Sequence, residues 1–324
     1  MLCSLRSRLP LVLLASSTLR LTSLPVALAA SSPSMSAARN SKSRVFSTGP
    51  PASDNGIDLY SVRTPNGLKI NIALEELAEL SSPVKFTEHT LDFGKNEQKE
   101  AWYVREINPN GRIPAIVDRS RNDQRVFETG SIILYLSKHY DTEFKLHFED
   151  DADETEMWSW IFFQHGGLGP MQGQAGHFLN AAPEKVPYAA KRYIEETKRL
   201  LNVYEERLAE GEGRNYLVGQ ERGKFSYADI VSFTWIRAHP LSLGLPSLAR
   251  AGFPLLEAWV ERISARPGTA RALVGNGIDR MKREEGWEKK VEEKAAWVWK
   301  EEKEEKEEKE EKEEKEEGRK RDEL

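Results

Sequence analysis

The sequence predicts an α+β domain of order βαβ then ββα, followed by an all-α helical bundle domain. Three observations carry this expectation. A strand, a helix and a second strand follow one another within about 30 residues from Ile57, the length of a βαβ unit. Two short apolar runs, Ala115 to Asp118 and Val126 to Glu128, are separated by polar turn residues, as in a hairpin. Across residues 150–275 the apolar period becomes helical throughout.

Each element has its own warrant. Ile57 to Val62 alternates apolar and polar residues, as a half-buried strand does. Thr64-Pro65-Asn66-Gly67 is dense in breakers and reads as a turn. Ile70, Ala73, Leu74 and Leu77 then fall on one helical face at i, i+3, i+4 and i+7. Val84 to Thr87 reads as the second strand of the βαβ unit, which implies parallel pairing. After the hairpin, Gly130 to His139 reads as a helix with Ile132, Ile133, Tyr135 and Leu136 inward. The order βαβββα is that of a thioredoxin-like domain, expected over residues 57–141.

In the second half, Trp158, Ile161 and Phe162 share one helical face. Ile194, Thr197, Leu201, Tyr204 and Leu208 mark another helix. Ser226-Tyr227-Ala228-Asp229 is a capping box with Asp at N3, and Phe225 and Ile230 sit where a hydrophobic staple would form. Asp229 is therefore read as structural.

Three places in the first domain carry chemistry. Ile113-Pro114 precedes a strand; in a thioredoxin-like domain this proline is expected cis, offering the Ile113 backbone to an extended peptide. Taken alone, the dipeptide is only a turn. Glu128-Thr129 stands at a strand-to-helix junction. Helix-start amides and the Thr129 hydroxyl suit a carboxylate, and Glu128 suits an ammonium, so together they suit an amino-acid head group. Thr129 reads equally as a plain N-cap. Thr64 and Asn66 present a hydroxyl and an amide beside the positive end of the first helix, where both could stabilise a thiolate. The competing reading there is a simple turn.

The segments Thr64-Pro65-Asn66-Gly67-x-Lys69, Asn108-Pro109-Asn110-Gly111-Arg112-Ile113-Pro114-Ala115 and Phe127-Glu128-Thr129-Gly130-Ser131-Ile132 occur in an order that resembles the glutathione transferases. Thr-Pro-Asn-Gly points to the nu-class bacterial disulfide-bond reductases and the fungal nitrogen-regulator-like transferases. Trp160 to His165, Gly169-Pro170-Met171-x-Gly173-Gln174 and Val186-Pro187-Tyr188-Ala189-x-x-Arg192-Tyr193 resemble the same branch. Thr129 stands where Ser is usual, with the hydroxyl kept.

The resemblance implies that glutathione, as substrate or co-substrate, lies along the Ile113 edge. Its γ-glutamyl end would rest on Glu128 and Thr129, its glycyl end beside Gln98 and Arg112. Gln164, Met171 and Gln174 would face the cleft, and Arg192 would reach the glutathione carboxylate or a second bound half. Asn66 and Thr64 would act on the sulfur as the catalytic pair. A free thiol near pKa 8.5 is mostly protonated at neutral pH. Lowering it two units takes about 2.7 kcal/mol, which two hydrogen bonds to a charged group, about 1.5–3 kcal/mol each, can supply.

Composition limits the remaining possibilities. The only cysteine is Cys3, so any thiol chemistry in the folded domains must use a borrowed sulfur. His165 and His177 are spaced unlike any metal-ligand pair, and no metal is expected. Residues 54–281 carry a net charge of about −6, which offers no footprint for nucleic acid. No apolar run reaches the ~18 residues of a membrane span.

The ends differ from the middle. Residues 1–53 hold six basic side chains and no acidic one, the composition of a mitochondrial transit peptide, with a candidate processing site at Arg44-Val45-Phe46-Ser47. The apolar run from Leu9 to Ala15 leaves a secretory signal as the rival, and Arg20 interrupts it. Residues 282–324 form a charged Lys-Glu-Glu tail, a solvated helix or a disordered segment, for which Trp287, Trp297 and Trp299 offer anchors. The terminal Arg321-Asp322-Glu323-Leu324 resembles an endoplasmic-reticulum retrieval signal. The leader makes mitochondria the expected location, with cytoplasm and the reticulum lumen as alternatives.

The expected activity is that of a glutathione transferase, or of an oxidoreductase whose glutathione thiolate attacks an electrophile, a disulfide or a hydroperoxide. The resemblance adds a homodimer with two-fold symmetry. The alternative is a non-catalytic binding or regulatory protein on the same fold.

Overall fold

The computed structural model describes residues 49–80 and 84–300. The candidate processing site, the repeated part of the tail and the last four residues lie outside the described residues.

The chain enters through residues 49–56, which pack against the first domain. Ser53 donates its hydroxyl to Asp58 Oδ1 at 2.6 Å, and a Cβ on Gly49 would stand 2.8 Å from the Trp102 ring. Residues 49–53, the end of the expected leader, thus lie against the folded unit.

The first sheet has four strands: β1 (Ile57–Ser61), β2 (Phe86–Thr90), β3 (Ala115–Asp118) and β4 (Gln124–Phe127), in the order β2-β1-β3-β4. β1 runs parallel to β2 with Ile57 opposite Phe86; β3 is antiparallel to both β1 and β4. Three helices complete the domain: α1 (Pro65–Leu80), α2 (Ala101–Glu106) and α3 (Thr129–Tyr140). α2 adds a helix to the expected βαβββα order. The second strand begins two residues later than expected, and Glu128 stands off β4 as the residue before α3.

β1 is buried along its whole length, where alternation predicts one wet face. The polar face is consumed by an internal network. Asp58 receives Arg119 Nε at 2.6 Å and His89 Nε2 at 3.0 Å as well as Ser53. These partners hold its carboxyl down to about 2 against the opposing effect of burial.

α1 likewise departs from a one-sided helix. Ile70, Ala73, Leu74 and Leu77 are buried as expected, but Lys69, Asn71, Ile72 and Glu76 are buried too. The reason is tertiary: α1 lies between α3 of its own domain and the helices α7 (Tyr227–Ile236) and α10 (Pro267–Leu273) of the second. Glu76 accepts from Thr269 N at 2.9 Å, Thr269 Oγ1 at 2.8 Å and Arg266 Nη2 at 2.7 Å. At this crossing the backbones nearly touch: a Cβ on Gly268 would lie 2.9 Å from Glu76 Cα. Gly67 is equally constrained, since a Cβ there would meet the Val62 carbonyl oxygen at 1.9 Å.

The second domain is all helical. Besides α7 and α10 it holds α4 (Asp151–Phe163), α5 (Gly169–Asn180), α6 (Pro187–Ala209), α8 (His239–Leu243), α9 (Pro254–Ser264), α11 (Gly277–Lys282) and α12 (Trp287–Ala295). The expected inward face of α6 is buried from Ile194 to Leu208. Phe162 corrects the expectation for α4: it is 68% exposed while Ile161 is fully buried. The capping box of α7 is present, with Ser226 N donating to Asp229 Oδ2 at 3.0 Å. Asp229 also takes Leu217 N and Trp259 Nε1, each at 3.1 Å, which makes it a buried junction. Residues 282–300, the beginning of the expected tail, pack on the helical domain. Val291, Ala295 and Val298 are buried, and Lys198 of α6 stands 5.2 Å from the centre of the Trp299 ring. No helix among the described residues is long and apolar enough to cross a membrane.

Candidate functional site

The site is built at the seam between the two domains, where α1 begins. Pro65 occupies the first turn of α1, where its missing N–H costs nothing. Thr64 Oγ1 accepts from Gly67 N at 3.3 Å, so the hydroxyl caps the helix. Thr64 is absent from the cleft wall. Of the expected pair, Asn66 lines the cleft, while the Thr64 hydroxyl accepts from Gly67 N and lies 3.5 Å from the Val62 carbonyl oxygen. Asn66 Oδ1 accepts from Trp235 Nε1 of α7 at 2.9 Å. That bond fixes the amide plane and leaves the NH2 group as the outward donor.

The second wall is the loop before β3. Asn108, 1% exposed, folds it: Nδ2 donates to Arg112 O at 2.8 Å and Oδ1 accepts Asn110 N at 2.9 Å. Tyr103 of α2 adds its hydroxyl to the same Arg112 carbonyl at 2.7 Å. The loop delivers Arg112, Ile113 and Pro114 to the cleft, and the Ile113-Pro114 bond is cis, as expected.

The third wall is the β4–α3 junction. Glu128 adopts φ 68° and ψ 125°. For a residue with a Cβ this is a strained conformation, worth about 1–3 kcal/mol, of the sort that gathers at ligand sites. It places Thr129 at the start of α3 with its side chain toward α4. Thr129 Oγ1 lies 2.6 Å from His165 Nε2. His165 Nδ1 lies 2.7 Å from the Ile161 carbonyl oxygen, which can only accept, so Nδ1 carries the proton and Nε2 receives the Thr129 hydroxyl.

The floor comes from a π-helical turn, Gln164–Leu168, between α4 and α5. Such widened turns gather at functional sites. Here it brings Gln164 and His165 into the cleft wall together. Gln164 is fully buried; its Oε1 accepts from Lys69 Nζ at 2.6 Å and its Nε2 has no partner. Lys69 is 1% exposed, one turn beyond Asn66 on α1, with no carboxylate in salt-bridge reach among the described residues. Burial lowers its ammonium to about 7, against the opposing pull of Glu128. Burial, and then Lys69, lower His165 to about 4.

The resulting cleft has a volume of about 410 Å³. It gathers Asn66, Arg112, Ile113, Pro114, Glu128, Thr129, Gln164 and Gln174 from the residues singled out in the sequence. Besides Thr64, three others lie elsewhere. Gln98 is half-buried behind the Asn108 loop, its backbone carbonyl facing Gly111. Met171 is a partly buried side chain against the hydrophobic core, consistent with the usual place of Met on a helix. Arg192 is exposed on α6 near Glu196. Lys69, Asn108, His165 and Trp235 were not anticipated as site residues. Lys69 and His165 do stand inside the motif segments, and their polarity amid apolar helical positions was the available signal. No cluster of three or more potential metal-binding side chains occurs among the described residues.

Residues 55–138 match the glutathione S-transferase N-terminal domain family and residues 170–267 the corresponding C-terminal domain family. The disulfide-bond oxidoreductase YfcG of Escherichia coli is 40% identical over 222 residues, covering 67% of this chain and 94% of that protein. A glutathione transferase homologue from Lodderomyces elongisporus, solved with two glutathione molecules per subunit, is 34% identical with a TM-score of 0.59. The match covers 68% of this chain and 99% of that one. The transferase URE2P6 of Phanerochaete chrysosporium, solved with oxidized glutathione, is 35% identical with a TM-score of 0.61, over 68% of this chain and 96% of its own. A thioredoxin-like domain joined at α1 to a helical domain, with this sequence likeness over both, places the chain in the glutathione S-transferase family.

Proposed function

We propose that the cleft binds glutathione and that the protein is a glutathione-dependent oxidoreductase acting on disulfides. The observation that carries the reading is the oriented Asn66 amide, held by Trp235 in the same cleft as the amino-acid-binding chemistry of Glu128 and Thr129. The γ-glutamyl group rests on the β4–α3 junction, the peptide runs along Ile113, and Arg112 at the mouth meets the glycyl carboxylate. The sulfur then lies before the Asn66 NH2 group and the first turn of α1, whose positive end favours a thiolate.

With no cysteine among the described residues, the protein supplies geometry and the tripeptide supplies sulfur. The bound thiolate attacks the glutathione sulfur of a mixed disulfide. A new S–S bond forms, giving glutathione disulfide, while the old S–S bond breaks and its electron pair leaves on the substrate thiolate, which takes a proton from water. The disulfide-bond oxidoreductase among the relatives supports this choice over conjugation. The same thiolate serves hydroperoxide reduction and conjugation as secondary activities. We include in the proposal a homodimer and mitochondrial import, supported by the family's habit and by the basic composition of residues 1–53.

The test is retention on immobilised glutathione with turnover on a glutathione mixed disulfide and on an organic hydroperoxide. Turnover of the disulfide is expected. Absence of affinity for both reduced and oxidised glutathione would refute the reading, and binding with no turnover on any of these would favour a regulatory protein.

A further inference from the structure

Behind the cleft wall two basic groups sit without an anion. Among the described residues Lys69 Nζ has only the neutral Gln164 as a hydrogen-bond partner, and His165 has only Ile161 and Thr129. Gln164 Nε2, fully buried in the same wall, donates to nothing. The start of α3 adds the partial positive charge of a twelve-residue helix. This corner therefore has donors to spare, with Glu128 as the carboxylate that acts on Lys69, and it suits a ligand carboxylate.

One donor faces the wrong way for that ligand. The Thr129 O–H points at His165 Nε2, so the hydroxyl presents lone pairs to the cleft. A carboxylate also presents only lone pairs. Two arrangements let the hydroxyl itself donate to the ligand. The hydroxyl turns to the ligand and leaves the Nε2 lone pair buried without a donor, a costly outcome. Otherwise a proton enters at Nε2: imidazolium then donates to Thr129 Oγ1, and the Thr129 O–H is released to the carboxylate. In the second arrangement all four groups, Ile161 O, both ring nitrogens and the hydroxyl, are satisfied at distances already present.

Resting on the glutathione reading above, we infer that His165 is a positioning residue which takes up a proton when a carboxylate docks on Thr129. It aligns the Thr129 hydroxyl, and binding is accompanied by net proton uptake. The charged groups that line the cleft with it are Lys69 from α1, which acts on the ring, Glu128 from the β4–α3 junction and Arg112 from the loop before β3. Burial, and then Lys69, keep the ring neutral while the cleft is empty; the incoming negative charge offsets the part due to Lys69. Affinity for the ligand is therefore highest at low pH. It falls as pH rises above about 4, where the empty-cleft ring loses its proton, until the ring of the bound complex does too.

S-methylglutathione is the suitable probe, because a blocked thiol releases no proton of its own. Calorimetric titrations of the whole protein in two buffers of different ionisation enthalpy, between about pH 5 and 7, count the protons exchanged. Uptake approaching about one proton per ligand is expected, with affinity changing by up to about tenfold per pH unit. The His165→Gln variant is expected to lose that uptake while still binding. Should the variant fold poorly, long-range proton–nitrogen spectra of histidine-labelled wild type give the same answer: the His165 ring passes from the Nδ1–H tautomer to imidazolium on saturation. Uptake unchanged in the variant assigns the proton to Lys69 and overturns the inference, as does a ring that stays neutral. Binding without any proton exchange overturns it too, leaving the glutathione reading intact. No binding removes both.

Discussion

Replacing Asn66 by Ala removes the side-chain donor proposed to meet the glutathione sulfur. Because Trp235 already holds the amide oxygen at 2.9 Å, the NH2 group pays little orientational entropy on meeting a thiolate. A hydrogen bond to a charged group contributes about 1.5–3 kcal/mol. At 1.36 kcal/mol per unit, its loss raises the bound thiol by about 1.1–2.2 pKa units. If Asn66 supplies the whole depression, the wild-type thiol titrates near 6.3–7.4 and the variant near 8.5. A more basic thiolate is also a better nucleophile, by about 0.4–0.5 log units per pKa unit. The two effects oppose one another. At pH 6 the variant is expected to be slower by roughly 4- to 10-fold, and above about pH 9 the order reverses. Thiolate absorbance in the ultraviolet, followed against pH with glutathione bound, measures the shift directly, and disulfide turnover at both ends of the range measures the crossing. Identical titration of the bound thiol in the two proteins would refute the role given to Asn66. A uniform loss at all pH values would show that the side chain positions glutathione rather than stabilising its charge.

Lys69→Met tests the buried ammonium. The folded-state value near 7 lies below the ordinary 10.5, so the unfolded chain binds more protons between them. Stability conferred on the empty protein is thus lost as pH falls toward 7; the wild-type minus variant difference in urea stability should rise between about pH 7 and 9, by at most about 1.4 kcal/mol per unit. Glu76→Ala leaves Arg266 and Thr269 without their acceptor at the domain seam and is expected to cost about 3–5 kcal/mol, read from the urea midpoint. Asp229→Asn replaces one accepting oxygen by an amide that faces existing donors; a loss of about 1–3 kcal/mol is expected, with affinity for glutathione unchanged.

What could be read in the sequence was what neighbours along the chain decide. The Asn66 turn, the Ile113-Pro114 step and the Glu128-Thr129 junction are each set by a few consecutive residues, and the structure brings all three into one cleft. A hydroxyl beside a helix start has two uses, and the structure shows one of them at Thr64, which accepts from Gly67 N. Lys69 escaped because one-sided periodicity places polar residues of α1 in solvent, whereas a second domain covers that side. His165 depends on the π turn, whose extra residue per turn rotates it toward Thr129 and leaves no trace in helical spacing. α2, six residues long and without a side-chain cap, carries too short a pattern to separate from a loop. Arg192 and Gln98 came from likeness to relatives rather than from local chemistry, and neither lines the cleft.

The bond from Trp235 to Asn66 joins residues 169 positions apart and crosses from one domain to the other. A chimera that grafts residues 57–141 onto a helical partner lacking an indole at that place should keep its strand ladder and its grip on the tripeptide's ends. Its amide, however, would rotate freely and serve the sulfur only part of the time. Swapping halves within this family is therefore expected to preserve recognition more readily than reactivity, and restoring a single tryptophan should recover the difference.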